Sequence, residues 1–465
     1  MKGLVLAALL LVGCKDKDTP ATTGSAAPKT DPCQGAKQEG PLAWFVDDLP
    51  AASACAISRD VPLVVDLWAP WCHTCISMQS TVFRDKAMEP MAKRFVFVSI
   101  DTDRETNAAA VAKLPLSAWP TFYVLAPEDA SVLARFAGGA SVAQFTAFLE
   151  HGAAARTAVA GAAKHLLAAE RALTAKDLAT AQTELEAALA AAPPTWVRTP
   201  DALVSLITTR KKRGDFAGCF ALAQDKLDAT GNSASATDFT GYGLACAETL
   251  AKDPTKAEDI AAYRERAVKR LEGLLADASA PLSQDDRSDA MSYLREALTQ
   301  LGKKDDAAAV AERQKALLEE AIAKAPDPVA ASTYNYQLAD VCVALGRPLD
   351  AVSLIEKSAT ALPNEYDPAA RLGWVYLEAG KLDEAAQWTD KALALVYGPR
   401  KARVLAQRAN IEKKRGDVAA EKKYRAQIVA LWESLPAEQK SADALAKAKA
   451  DLAALDAPAP PAATN

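Results

Sequence analysis

Histidine is scarce in this chain: 465 residues contain three histidines at widely separated positions. A single C-x-x-C pair is present, Cys72 and Cys75, and no second pair or histidine cluster completes a zinc site beside it. The residue after the second cysteine is Ile76, whereas a haem attachment site needs histidine there. We therefore expect neither a metal ion nor a haem.

An excess of positive charge is also absent. The chain has 54 Lys and Arg against 59 Asp and Glu, a formal net charge of -5. This balance argues against nucleic acid as a partner and against broad electrostatic binding to membranes. The apolar run near the N-terminus, residues 3–13, is too short to span a bilayer.

What the sequence does contain is a setting in which a cysteine pair can react. Residues 61–67 form an apolar, β-branched run typical of a buried strand, and residues 76–91 carry apolar side chains at helical spacing. Cys72 is thus expected at a helix N-terminus, where the helix dipole lowers a thiol pKa. One helical turn brings Cys75 within bonding distance, so it can resolve a mixed disulfide formed by Cys72. Half a zinc site or an inert structural pair would have the same spacing.

The surrounding motifs resemble the thioredoxin superfamily. Residues 66–75, DLWAPWCHTC, are similar to its active-site signature, and residues 118–124, AWPTFYV, to the loop that holds its cis-proline. Residues 136–139 resemble the last strand and its turn. The spacing of Met78, Val82 and Phe83 after the cysteines is similar to that in the periplasmic subgroup of this superfamily, which includes the C-terminal domain of DsbD-type interchange proteins. The resemblance covers residues 41–152 and implies an α/β thioredoxin fold.

The resemblance also implies roles for individual residues. Cys72 would be the exposed attacking thiolate and Cys75 the buried resolving thiol. Asp66 matches the family's buried acid, whose carboxyl accepts a proton from the second cysteine. Pro120 would place the backbone of Trp119 beside the disulfide, where an extended substrate pairs with it.

Trp71 and His73 complete the predicted substrate-binding positions. A protonated His73 would stabilise the Cys72 thiolate and make the protein more oxidising, but the histidine could equally be exposed without a role. The direction of electron flow stays open. We expect no cofactor other than the redox-active disulfide of Cys72 and Cys75.

The N-terminus indicates the compartment. Residues 11–14, LVGC, resemble a lipobox, which implies that residues 1–13 are a signal peptide and that Cys14 carries a lipid. Lys15 is not the aspartate that retains such proteins at the inner membrane, which favours the outer membrane. The expected location is the bacterial cell envelope, facing the periplasm; an ordinary secretory signal cut elsewhere is the alternative. Residues 14–40 are predicted to be a disordered tether.

Five cysteines remain after these assignments. Cys33 and Cys55 could pair in an oxidising compartment and join the end of the tether to the first helix of the α/β domain. Cys219, Cys246 and Cys342 lie in helical patterns, where a small buried cysteine is the usual explanation.

Residues 153–455 are alanine-rich and helical in pattern, with a period close to 34 residues. Gly346, Gly380 and Gly416 recur at this period and are expected to close turns between helices. The pattern resembles tetratricopeptide repeats, which form an all-α solenoid. A capping helix is predicted over residues 436–455.

Such solenoids bind a protein or peptide in a groove lined by the first helix of each repeat. The residues predicted to face this groove are Tyr336, Asp340, Trp374, Asn410 and Lys414. Trp374 could be a binding residue or could pack between repeats. The proline-containing tail, residues 456–465, is expected to be disordered.

The predicted fold class is therefore an α/β thioredoxin domain followed by an all-α solenoid. The predicted function is a lipid-anchored thiol:disulfide oxidoreductase of the cell envelope. Its partners would be protein substrates with cysteines or disulfides, an envelope redox partner and a protein or peptide ligand of the repeats. The alternative is a non-enzymatic assembly lipoprotein in which the solenoid is the working part.

Overall fold

The computed structural model describes residues 31–116 and 118–456. The predicted lipidation site Cys14, the signal peptide and residues 457–465 of the tail lie outside the described residues. Within those ranges a mixed α/β domain is followed by an all-helical region, as predicted. No helix in the described part of the chain is long and apolar enough to cross a bilayer.

The α/β domain is built around one six-stranded sheet. Its elements in chain order are β1 (Lys37–Glu39), β2 (Leu42–Val46), α1 (Leu49–Arg59), β3 (Leu63–Trp68), α2 (His73–Ser80), α3 (Glu89–Arg94), β4 (Val96–Asp101), α4 (Ala108–Lys113), β5 (Thr121–Leu125), β6 (Val132–Ala137) and α5 (Val142–Ala154). The strand order is β1-β2-β4-β3-β5-β6. The central strands β3 and β4 are parallel, and β5 and β6 complete the sheet in antiparallel orientation. Apolar clusters cover both faces, which explains why β3 is apolar almost throughout.

The helix predicted over residues 76–91 is interrupted. α2 ends at Ser80, and a new helix, α3, begins with Pro90 in its first turn. Proline has no N–H to donate inside a helix, so it is tolerated only where a helix begins. Val82 and Phe83 are buried in the intervening turn, which accounts for their helix-like spacing.

Residues 31–40 of the predicted disordered tether have defined structure, and residues 14–30 lie outside the described residues. β1 pairs with β2 in antiparallel orientation, and Cys33 forms a disulfide with Cys55 of α1. All three residues of β1 are exposed. The strand is held by its backbone ladder, and its sequence therefore shows no apolar pattern.

The helical region follows directly. Its elements are α6 (Gly161–Thr174), α7 (Leu178–Ala191), α8 (Thr199–Lys212), α9 (Phe216–Lys226), α10 (Ala234–Leu250), α11 (Ala257–Ala276), α12 (Gln284–Gln300), α13 (Lys304–Lys324), α14 (Pro328–Ser332), α15 (Asn335–Ala344), α16 (Val352–Ala361), α17 (Tyr366–Glu378), α18 (Leu382–Leu395), α19 (Arg400–Arg415), α20 (Val418–Ser434) and α21 (Ala442–Ala453). Consecutive helices pack as hairpins, for example α6 on α7, α12 on α13 and α17 on α18.

The repeat pattern has a direct structural cause. Gly346, Gly380 and Gly416 adopt left-handed φ angles of 69°, 72° and 77° at the turns between helices, as predicted. Gly373 lies where helices cross closely, because a Cβ there would come within 2.4 Å of Thr389 Oγ1. The predicted capping helix is shorter than residues 436–455, since only α21 is helical there.

The cysteines of the helical region differ from the prediction. Cys219 of α9 and Cys246 of α10 form a disulfide instead of remaining separate buried thiols. Cys342 is a buried free thiol, as predicted. Periodicity shows that each cysteine lies on a buried helix face, but it does not show which faces meet.

Candidate active site

Cys72 and Cys75 lie where β3 leads into α2. Cys72 is the N-cap of α2, and its Sγ accepts a hydrogen bond from the Cys75 backbone N–H at 3.0 Å. The two residues form a disulfide with Cα atoms 5.2 Å apart. After reduction, the free N–H groups and dipole of the helix would stabilise a thiolate at Cys72. Both residues are nearly covered, with 4% of Cys72 and 1% of Cys75 exposed.

Asp66 is a buried acid on β3, close in sequence to the cysteines. It is 2% exposed, and its Oδ1 has no hydrogen-bond partner among the described residues. Burial raises the pKa of Asp66 to about 8, with hydrogen bonding to Gln79 opposing the rise. A carboxyl with this pKa can take up or release a proton near neutral pH.

The loop predicted to hold a cis-proline does so: the Trp119–Pro120 peptide bond is cis. Trp119 is 37% exposed and donates its indole N–H to Thr102 Oγ1 at 2.9 Å. Its ring meets that of Trp71 edge to face, with centroids 5.0 Å apart. Trp71 in turn donates its indole N–H to Asp103 Oδ2 at 2.7 Å. The two predicted substrate-binding tryptophans therefore form one aromatic surface beside the disulfide.

His73 is not free at the helix start, because it contacts the helical region. Its Nδ1 lies 2.9 Å from Oδ1 of Asp285 on α12, a residue whose side chain is fully buried. Its ring also stacks on Tyr336, with centroids 5.9 Å apart. Burial disfavours the charged imidazole, but the charges of Asp285 and Asp289 outweigh it and raise the pKa of His73 to about 9.

Three of the residues around this contact could also hold a metal ion. His73, Asp285 and Asp289 each offer one ligand atom, and these atoms lie within 4.8 Å of one another. The ion pair of His73 with Asp285 accounts for the arrangement without a metal, so the expected absence of a metal site stays a prediction.

The helical region closes over the cysteine motif from several sides. α2 packs against α12 and α14, and the guanidinium of Arg400 lies 4.4 Å from the centre of the Trp71 ring. Tyr397 donates a hydrogen bond to Asp101, and Gln439 donates to the carbonyls of Thr102 and Arg104 at 3.0 and 3.2 Å. The two cysteines themselves pack with Trp68, Ala69 and Trp71 of their own domain.

Four of the five predicted groove residues lie together. Tyr336, Asp340, Trp374 and Asn410 line a cavity of about 310 Å³, and the rings of Tyr336 and Trp374 stack with centroids 6.1 Å apart. Lys414 does not line this cavity, although its ammonium donates at 3.1 Å to the carbonyl of Leu377, which does. Trp374 lines this cavity and also packs against the helix core, so it combines both predicted positions. Tyr336 connects the cavity to His73.

Sequence reasoning missed the residues that the helical region contributes to the site. Asp285, Arg400 and Gln439 lie more than 200 positions from the cysteine motif. Each reads locally as an ordinary polar residue on a helix or turn. A buried polar side chain with no partner in its own repeat would have marked these residues. A repeat pattern does not show which polar side chains are buried.

Comparison with known proteins agrees with this architecture. Residues 44–127 match a family model described as thioredoxin-like. The chain joins this thioredoxin-like domain to a region of helical repeats. Over 53 residues it is 38% identical to thioredoxin M4, chloroplastic, of Arabidopsis thaliana, a match that covers 11% of this chain and 26% of that protein. The chain thus spans about a quarter of the length of that curated relative.

Among solved structures, similarity is found to tetratricopeptide repeat proteins. One from Parabacteroides merdae has a TM-score of 0.41 at 12% identity, covering 64% of this chain and 99% of its own. A thermophilic one from Thermus thermophilus has a TM-score of 0.23 at 15% identity, covering 63% of this chain and 98% of its own. The helical hairpins and the turn glycines of the chain itself define its repeats.

Proposed function

We propose that this protein is a thiol:disulfide oxidoreductase that acts through Cys72 and Cys75. One observation carries the assignment: the two cysteines form a disulfide at the N-terminus of α2, beside a cis-proline loop. The thioredoxin-like match over residues 44–127 supports it.

The reaction is an exchange of two electrons between two cysteine pairs. In the reducing direction, the Cys72 thiolate attacks one sulfur of a substrate disulfide and releases the other as a thiolate. Cys75 then loses its proton and attacks Cys72 in the mixed disulfide, which forms the Cys72–Cys75 disulfide and frees the second substrate thiol. The substrate gains two electrons and the protein loses two. The oxidising direction is the same sequence in reverse.

Asp66 is suited to the proton transfer in this sequence. The carboxyl is buried, one of its oxygens has no hydrogen-bond partner among the described residues, and burial raises its pKa to about 8. It would receive the proton of Cys75 as that thiol attacks, in the role the resemblance implies. The aromatic surface of Trp71 and Trp119 would hold the substrate chain next to the sulfur atoms.

We further propose that the protein works in the bacterial cell envelope, attached through a lipid on Cys14. The lipobox-like residues 11–14 support this location. Two disulfides apart from the redox motif, Cys33–Cys55 and Cys219–Cys246, also fit an oxidising compartment. The repeats would bind a protein partner, and their groove cavity reaches the redox motif through Tyr336.

A scaffold without enzyme activity is the second candidate, favoured by one observation. Both cysteines are nearly covered, at 4% and 1% exposure, whereas an attacking thiolate must be reached by its substrate. In this case the Cys72–Cys75 disulfide would be structural and would not exchange with substrates.

Thiol exchange by the full chain separates the two functions. The protein is equilibrated with mixtures of reduced and oxidised glutathione, quenched by alkylation, and the peptide containing Cys72 and Cys75 is analysed by mass spectrometry. Reversible oxidation within minutes supports the oxidoreductase, and Cys72→Ser should abolish it. Cys342→Ser is the matched control, because this thiol is buried and unpaired. A motif that stays oxidised under every mixture would support the scaffold.

A further inference from the structure

A cleft runs between the thioredoxin-like domain and the helical region, directly beside the redox motif. It encloses about 540 Å³. Trp71, Leu116 and Trp119 line its wall on one domain, and Arg400 and Arg403 line it from α19. The same two arginines also line the groove cavity of Tyr336 and Trp374. The cleft and the groove cavity therefore adjoin at two guanidinium groups.

Both guanidinium groups lack an anionic partner in the part of the chain that the structure describes. Among the described residues neither Arg400 nor Arg403 has a carboxylate within ion-pair distance or donates a side-chain hydrogen bond, and Arg400 instead lies over the Trp71 ring. Further along the same helix, Arg408 and Arg415 are both paired with carboxylates.

The surroundings of Arg400 agree with the lack of a counterion. Burial lowers the pKa of Arg400 to about 10, and the neighbouring positive charge of Arg371 adds to the effect. The negative charge of Asp367 opposes this decrease in pKa, but Asp367 is already paired with Arg371 at 2.9 Å. A largely buried cation without a partner is stabilised when an anion binds beside it.

The other residues that line the cleft indicate the chemical class of its ligand. Its other charged groups are Lys176, Asp103 and Glu438. Asp103 is engaged by the indole N–H of Trp71 at 2.7 Å. The wall opposite the arginines is apolar and aromatic, which suits side chains of a polypeptide better than a small inorganic anion.

We infer that the cleft binds an acidic peptide segment of the substrate protein, with its carboxylates on Arg400 and Arg403. Apolar side chains of the same segment would pack on Trp119 and Leu116. The segment would then lie next to the disulfide, so acidic residues near a cysteine would select the substrate. This inference rests on the proposed oxidoreductase function and adds the class of substrate to it.

The test uses the full, reduced protein and three peptides that differ only in charge. Each peptide carries one cysteine as a mixed disulfide with a chromogenic thiol, flanked by glutamates, glutamines or lysines. We expect the second-order rate constant for release of the chromogenic thiol in a single turnover to be about fivefold higher for the glutamate peptide than for the glutamine peptide at low salt, because the glutamate peptide binds more tightly. The preference should fall as salt is raised.

Variants assign the preference to the cleft. Arg403→Gln should lower the ratio of glutamate to glutamine peptide to the part that Arg400 contributes, and Arg403→Glu should lower it further by repelling the glutamates. Arg403 is exposed, so neither change disturbs the core. Arg313→Gln is the matched control, because this exposed arginine also lacks an ion pair among the described residues but lies on α13, away from the cleft.

The outcomes separate the inference from the function on which it rests. Equal rates on all three peptides in the wild-type protein would overturn the acidic-substrate inference while leaving the oxidoreductase intact. An undiminished preference for the glutamate peptide in Arg403→Gln and Arg403→Glu would also overturn it. No exchange with any peptide or with glutathione would overturn the proposed function itself.

Discussion

Replacing Asp285 with asparagine is expected to lower the pKa of His73 and to make the Cys72–Cys75 disulfide harder to reduce. Asp285 is fully buried on α12, and its Oδ1 lies 2.9 Å from His73 Nδ1. Burial alone would lower the pKa of His73 from its ordinary 6.5, whereas the charges of Asp285 and Asp289 raise it to about 9. Asparagine keeps the shape and removes one of the two charges that raise the pKa of His73, so the protonated fraction of the imidazole at neutral pH falls.

The size of the effect follows from the shift. A change from 6.5 to about 9 corresponds to about 3 kcal/mol, because one pKa unit is worth about 1.4 kcal/mol. The His73 side chain is 23% exposed, and the change relieves Asp286 and Asp289 of a neighbouring negative charge. We therefore expect the free energy of unfolding to fall by about 1–2 kcal/mol.

The pH dependence has a defined sign. Folding raises the pKa of His73, so the ion pair stabilises the fold while the imidazole is protonated. Its contribution is complete below pH 6.5 and is lost as the pH rises through about 9. The stability difference between wild type and Asp285→Asn should therefore shrink across this window.

The redox consequence is measured in the same variant. A protonated His73 beside Cys72 would stabilise the thiolate, and loss of about one pKa unit of that stabilisation would lower the reduction potential by about 30 mV. The assays are glutathione equilibration at pH 7 and an NMR titration, with His73→Gln to assign the histidine signal. Asp289→Asn is the control and should shift both quantities less, because Asp289 acts on His73 by charge without a hydrogen bond. A wild-type His73 that titrates near 6.5, or an unchanged potential in Asp285→Asn, would contradict this prediction.

Three further predictions concern the reaction and the anchor. Cys72→Ser should abolish disulfide exchange, whereas Cys75→Ala should accumulate mixed disulfides with substrates on non-reducing gels; rapid alkylation of Cys75 alone in the reduced protein would mean that the roles are reversed. Asp66→Asn should slow resolution of the mixed disulfide at least about tenfold. It should also flatten the rise in rate toward pH 8, because burial raises the pKa of Asp66 to about 8. Stopped-flow detection of the second thiol measures both effects. Cys14→Ser should move the protein from the membrane to the soluble envelope fraction, and its persistence in the pellet after a salt wash would argue against lipid attachment.

Local features of the site could be predicted from the sequence because their causes are local. Cys72 at a helix N-terminus follows from an apolar strand run that leads straight into the C-x-x-C motif. The turn glycines, such as Gly346 and Gly380, follow from a 34-residue period, because each left-handed turn recurs once per repeat. The break between α2 and α3 does not follow from the pattern, because the apolar spacing continues across it as far as Pro90.

The contacts between the two domains could not be predicted in the same way. His73 meets Asp285 across 212 positions of sequence, and no periodicity relates a strand-to-helix junction to a helix of a repeat. The same holds for the Cys219–Cys246 disulfide, where two helical patterns show burial but not pairing. Such contacts depend on the relative positions of whole helices, and the local sequence pattern of one helix does not determine these positions.

The Cys33–Cys55 disulfide has a mechanical consequence. It closes a covalent loop that contains β1, β2 and the start of α1. A pulling force applied to the chain before Cys33 passes through the sulfur–sulfur bond into α1, so the hydrogen bonds between β1 and β2 carry none of it. If the N-terminal side is held at a membrane, motion of the membrane is transmitted to a core helix, and the exposed edge strand is shielded from peeling.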